Sequence, residues 1–215
     1  MELRRTANAG VLLKLDGVSI LLDGVCREVS PYPATPPEER SLLTSCFPDI
    51  VAFTHAHKDH YDPVYAAQYQ KQTNGVVLGP AGLVGVRGSM EKLSVGGVTV
   101  TPVPSRHIGA AGKDTPHASF IIEGTKTVWF LGDASPSQWK GRRELPAPDV
   151  LIVPYAYANT AASWALSKSL GAKEIVLLHM PQQQKDVLGL WEAVQSTVGQ
   201  ERLHIPELRQ SLYLP

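Results

Sequence analysis

Cysteine is scarce in this chain: Cys26 and Cys46 are the only two among 215 residues. Two thiols cannot build a disulfide scaffold, and free thiols in a reducing compartment are the expected state. An excess of either charge is also missing. Lys plus Arg and Asp plus Glu each number 20, giving a formal net charge of zero. That balance removes the electrostatic argument for a nucleic-acid partner. Long apolar runs are absent too. Val11-Leu12-Leu13 is cut short by Lys14 and Asp16, so no secretory apolar stretch forms there. The longest charge-free segment, 150–167, holds Pro154, Asn159, Thr160 and Ser163 and is too polar and broken to span a membrane. The expectation is a cytoplasmic protein with no membrane partner. What the chain does have is 43% hydrophobic and 19% charged residues, the balance of a folded chain, and a length that suits one domain over 1–215.

Apolar runs at 11–15 and 18–22, split by Asp16-Gly17, predict a β-hairpin. Segment 29–48 carries Pro31, Pro33, Pro36, Pro37 and Pro48 and reads as a loop. The run 50–53 predicts a covered strand, and Asp62-Pro63 a helix start, with the helix reaching about Gln72. A strand at 76–78 leads into the Gly-rich segment 79–88, which lacks the Gly-Lys-Ser/Thr ending of a phosphate loop and reads as an irregular connection. Strands follow at 98–103, 118–122, 127–131, 150–153 and 175–178, with a hairpin turn at 123–126. Helices are predicted over 160–170, ending at Gly171, and over 185–198, before a polar tail. Strands interleaved with helices, without a repeat, argue for an α/β (α+β) domain of sheets covered by helices.

Chemistry concentrates in His55-Ala56-His57-Lys58-Asp59-His60. At this composition the pattern H-x-H-x-D-H arises by chance in roughly 3 of 10,000 chains. In an extended segment His55 and His57 point the same way, and Asp59 and His60 fall where the strand turns toward the helix at Asp62-Pro63. Neutral imidazoles and carboxylates suit Zn²⁺ and similar cations. Three further candidates each follow a β-prone run: His107, Asp133 and His179. Side chains at the carboxyl ends of neighbouring strands share one edge of a sheet, the usual place for a site in α/β folds. That rim would collect five His and two Asp, enough for two cations. No Gly-x-Ser-x-Gly elbow offers a serine nucleophile instead.

These residues resemble the metallo-β-lactamase superfamily, from the hairpin ending Leu21-Leu22-Asp23 to His179. The resemblance implies a four-layer αββα sandwich and two divalent metal ions. Carried over, His55, His57 and His107 would hold the first, Asp59, His60 and His179 the second, and Asp133 would bridge them. Zinc is the default, with manganese or iron fitting a mixed N/O set nearly as well. A hydroxide shared between two such cations would attack a carbonyl or phosphoryl centre. Asp59 and Asp133 are the catalytic candidates, Asp133 fixing the hydroxide and Asp59 passing a proton to the leaving group.

Asp133 speaks against a true β-lactamase, which usually lacks that carboxylate, and the chain has no length for the extra domain of the RNA-processing nucleases. Val153-Pro154, Ala161-Ala162, Gly171-Ala172-Lys173 and Leu178-His179 are similar to the branch that includes L-ascorbate-6-phosphate lactonase. Arg106 before the third ligand and the loop after His107 depart from that branch. The implied function is metal-dependent hydrolysis of a small, anionic substrate, a lactone-type ester or a phosphodiester. A nuclease of the same superfamily and a metal-binding protein without turnover are the alternatives, and a homo-oligomer is implied by the branch. Arg106 and Lys113 are candidate anion contacts or solvated loop charges; Tyr155, Tyr157 and Asn159 either line the pocket or satisfy a loop. His117 is expected to be a structural partner and His204 a surface residue.

Overall fold

The chain opens with β1 (Glu2–Arg5), β2 (Val11–Leu15) and β3 (Val18–Leu22) in antiparallel succession. Asp16 (φ 51°) and Gly17 (φ 82°) are both left-handed, as a two-residue hairpin turn requires, and set Leu15 opposite Val18. This computed structural model describes residues 1–215 apart from 110, 111, 113, 143 and 199–202, so Lys113 lies outside the described residues.

The proline-rich segment is not all loop. It contains α1 (Pro37–Ser45). Pro37 sits in the first turn, where no backbone donor is lost, and Glu38 and Glu39 follow where the helix dipole favours acids. The prolines mark a helix start rather than the absence of one. β4 (Ile50–Ala52) and β5 (Val77–Leu78) then add in parallel beside β3, with α2 (Pro63–Thr73) between them.

The second half supplies β6 (Leu93–Val95), β7 (Val98–Arg106), β8 (Pro116–Glu123), β9 (Thr127–Phe130), β10 (Val150–Pro154), α3 (Ala161–Ser169), β11 (Glu174–Leu178) and α4 (Leu190–Thr197). The last helix begins five residues later than 185. The Asp186 carboxylate accepts the N–H groups of Leu190 (3.0 Å) and Trp191 (2.8 Å), which fixes the start there. The polar tail is a further correction: it forms β12 (Leu203–His204) and β13 (Ser211–Tyr213), one at the edge of each sheet.

The sheets run β13-β1-β2-β3-β4-β5 and β12-β11-β10-β9-β8-β7-β6, each part antiparallel and part parallel. Their facing sides share one core that includes Leu13, Ile20, Phe120, Phe130 and Ile152. Leu43, Tyr65 and Tyr69 pack α1 and α2 onto the outside of the first sheet. Trp164, Leu190 and Val194 do the same for α3 and α4 on the second. The order of layers is therefore αββα. Among the described residues no helix is long and apolar enough to cross a membrane.

Candidate metal centre

All seven rim candidates come together where strands end. Four of them lie in the turn after β4, closed by hydrogen bonds from His60 N (3.1 Å) and Tyr61 N (2.9 Å) to His57 O. Asp62 caps α2 directly after it, its Oδ1 accepting from Val64 N (2.8 Å) and Tyr65 N (3.1 Å). His107 follows β7, Asp133 follows β9 and His179 follows β11. Gly132 (φ 52°) lets the chain pass against Thr54, since a Cβ there would lie 2.4 Å from Thr54 Cγ2. His179 itself is left-handed (φ 61°), a costly conformation for a residue with a side chain, and its N–H bonds Asn8 O at 3.3 Å.

One potential ligand atom from each of His55, His57 and His107 forms a group within 4.8 Å; so does one from each of Asp59, His60 and His179. Asp133 lies between them. Its Oδ2 is 3.4 Å from His60 Nε2, 3.6 Å from His179 Nε2 and 3.7 Å from His107 Nε2. Asp59 Oδ2 is 3.1 Å from His179 Nε2.

The outer nitrogens of three imidazoles are tied down. His107 Nδ1 donates to Ile108 O (2.7 Å), and His60 Nδ1 donates to Asp23 Oδ2 (2.8 Å). Thr54 Oγ1 gives its proton to Asp23 Oδ2 (2.6 Å), so it accepts from His55 Nδ1 (2.9 Å). In the neutral form of each ring this sets the tautomer and leaves the lone pair on Nε2. His55, His60 and His107 Nε2, together with His179 Nε2 and Asp133 Oδ1, are buried without a hydrogen-bond partner. Buried polar atoms seldom remain orphaned. Convergent imidazole lone pairs around a carboxylate are the donor set a divalent cation takes, and the residues fit such an ion.

Electrostatics follow the same arrangement. Burial drives His55 well below the usual imidazole range, with the neighbouring His60 adding to the effect. Burial opposes the charge on His60 too, yet the Asp133 and Asp23 carboxylates outweigh it and hold His60 well above that range. Asp133 is held well below the carboxylate range: His179 and His60 overcome the cost of its burial.

The other predicted residues separate. His117 is buried, its Nδ1 is 2.7 Å from Ser105 Oγ, and its ring centroid is 5.1 Å from that of His55. Burial lowers its pKa to about 3, so it packs behind the site as a neutral ring. Arg106 is exposed and turns to Ser137 Oγ (3.1 Å) and Ser135 Oγ (3.4 Å), since successive residues of a strand face opposite sides. Tyr157 does not line the site: it is 0% exposed and its hydroxyl donates to Ala134 O at 2.8 Å. Tyr155 is half-buried, with its ring centroid 5.9 Å from that of His179, and Asn159 lies partly exposed before α3. His204 sits in β12, its Nε2 2.9 Å from Glu174 Oε2. Two neighbours of the cluster escaped the sequence reading. Asp23 directly follows β3, a buried charge after an apolar hairpin, and that was the available signal. Tyr32, edge-on to His179 at 4.4 Å between centroids, gave none.

Two face-to-face mixed sheets between helices, with a His/Asp cluster where strands end, define the metallo-β-lactamase fold. The sequence matches the beta-lactamase superfamily domain over residues 19–195, and the chain belongs to that family. No curated protein matches it significantly. Among solved structures it resembles a possible metal-dependent hydrolase from Veillonella parvula (18% identity, 100% of this chain and 99% of that one, TM-score 0.69). It also resembles Igni18, a metallo hydrolase from Ignicoccus hospitalis (20%, 98% and 97%, TM-score 0.65). CmlA, a diiron β-hydroxylase from Streptomyces venezuelae, shares the architecture over 99% of this chain and 54% of its own length (18%, TM-score 0.64). Identities this low carry the fold alone.

Proposed function

We propose that this protein is a metal-dependent hydrolase of a small, anionic substrate, a lactone-type ester or a phosphodiester. The carrying observation is the pair of three-residue ligand groups with the Asp133 carboxylate between them. In this reading His55, His57 and His107 would hold one divalent cation and Asp59, His60 and His179 a second, with the Asp133 carboxylate available to both. Such cations supply Lewis acidity toward a carbonyl or phosphoryl oxygen and activation of water near neutral pH. Zinc, manganese and iron all suit the donor set.

The chain's own groups would do the rest. Asp23 and Thr54 lock His60 and His55 in one tautomer. Asp59 is half-buried at the mouth and offers a carboxylate oxygen that can carry a proton to a leaving group. Tyr155 stands at the same mouth as a neutral phenol, which burial pushes above its ordinary pKa. The similarity of 154–179 to the ascorbate-6-phosphate lactonase branch supports the lactone arm; zero net charge weighs against a nuclease.

The test is initial rates on a lactone panel and on bis(p-nitrophenyl) phosphate, with Zn²⁺ or Mn²⁺ and a chelated control. Chelator-sensitive turnover of lactones alone supports the lactonase reading. Turnover of the phosphodiester alone moves the assignment to a phosphodiesterase. Silence on both with metal bound overturns the substrate class.

A further inference from the structure

A cavity of about 400 Å³ adjoins the cluster. Asn8, whose carbonyl accepts the His179 N–H, forms part of its wall, and so does Met180, the next residue after His179. Arg5, Pro33 and Trp191 close other sides.

Arg5 is the unusual member. Its Nε donates to Ala7 O (3.2 Å), Nη1 to Pro206 O (2.9 Å) and Nη2 to Asn8 O (3.0 Å). These acceptors are neutral carbonyls. Among the described residues no carboxylate pairs with this guanidinium; Glu207 in the lining is exposed, and Asp186 is committed to the start of α4. Burial lowers the Arg5 pKa to about 10, which still leaves it a cation at neutral pH. A guanidinium has five N–H donors and three are engaged here, so one remains on each terminal nitrogen for a charged acceptor. Asn8 is 1% exposed, and neither polar atom of its side chain has a partner. A cation without a counter-charge and a buried amide without a partner are both unfavourable unless something meets them. Trp191, Met180 and Pro33 offer flat apolar surface beside them.

We propose that this cavity binds a small organic carboxylate, its anionic end on Arg5 and Asn8 and its apolar body against Trp191 and Met180. Binding there requires no metal, so it stands apart from the hydrolase reading.

The experiment is a titration of the ¹⁵N-labelled full chain with N-benzoylglycine, in the presence of chelator, followed by NMR. The expected result is saturable shifts of the Asn8 side-chain amide, Arg5 Nε–H and Trp191 indole N–H. The uncharged N-benzoylglycinamide should bind at least about 10-fold more weakly, the size of a lost charge-assisted hydrogen bond. Asn8→Ala should weaken binding by a similar factor. Should that variant fail to fold, Gln183→Glu places a negative charge on an exposed residue of the lining and should weaken binding several-fold. Equal affinity for acid and amide, shifts at the histidine cluster instead, or no saturation up to about 10 mM would each overturn the proposal.

Discussion

The Asp23 carboxylate holds both His60 and His55, one imidazole from each half of the candidate centre. It takes His60 Nδ1–H at 2.8 Å, and it reaches His55 through the Thr54 hydroxyl at 2.6 Å. Thr54 N also donates to Asp23 Oδ1 at 2.7 Å, so the carboxylate is anchored by the backbone it serves. A single buried anion thereby sets the orientation of two rings.

Asp23→Asn should lower divalent-cation affinity by about 10–100-fold, the usual effect of removing the partner that orients a ligand. Competition against a chromophoric chelator measures this. Unchanged affinity in a folded variant would show that the two rings need no such support.

His57 is exposed, so His57→Ala removes a ligand candidate without opening the core. Under the proposed two-cation reading, bound zinc in zinc-loaded protein, measured by elemental analysis, should fall from two equivalents toward one, while the thermal midpoint in chelator stays within a degree or so of the parent, as for surface changes. A retained second equivalent would remove His57 from the ligand set.

Asp62 ties the motif to α2 and pairs with Arg40 Nη1 at 2.5 Å. Burial opposes its charge, but Arg40 and the capped N–H groups outweigh that and hold the carboxyl below its ordinary pKa. A depressed carboxyl contributes stability that is whole above the unfolded value of about 4 and is lost as pH falls through the folded value. Urea unfolding between about pH 6 and pH 3 should therefore show a steeper loss of stability for the parent than for Asp62→Asn. Parallel curves would contradict the assignment.

Phe120 is 0% exposed in the core between the two sheets. Phe120→Ala should cost about 3–5 kcal/mol of unfolding free energy, from lost transfer energy and the cavity left behind. Denaturant melts in chelator check this without a contribution from metal binding.

Local chemistry made much of this legible. Asp16-Gly17 accepts left-handed φ values, so its hairpin could be read directly. Asp62-Pro63 carries a cap and a first-turn proline, so α2 could be read as well. The proline-rich segment misled because prolines in a loop and prolines opening α1 look alike until Leu43 finds a core to bury into. The tail seemed polar because β12 and β13 are short edge strands, recognisable only beside β11 and β1.

By itself the sequence determined the candidate ligand types and their spacing, since H-x-H-x-D-H converges within one turn, and it placed His107, Asp133 and His179 at strand ends. Only the tertiary structure decided what stands behind them. Asp23, Tyr32 and Asn8 reach the site through sheet pairing and loop packing across long separations, which no local pattern encodes. The same packing turned Arg106 outward from the end of β7, because a strand side chain's direction depends on which face of the sheet meets the core, and it buried Tyr157, in the single helical turn after β10, among Ala134, Trp139 and Trp164.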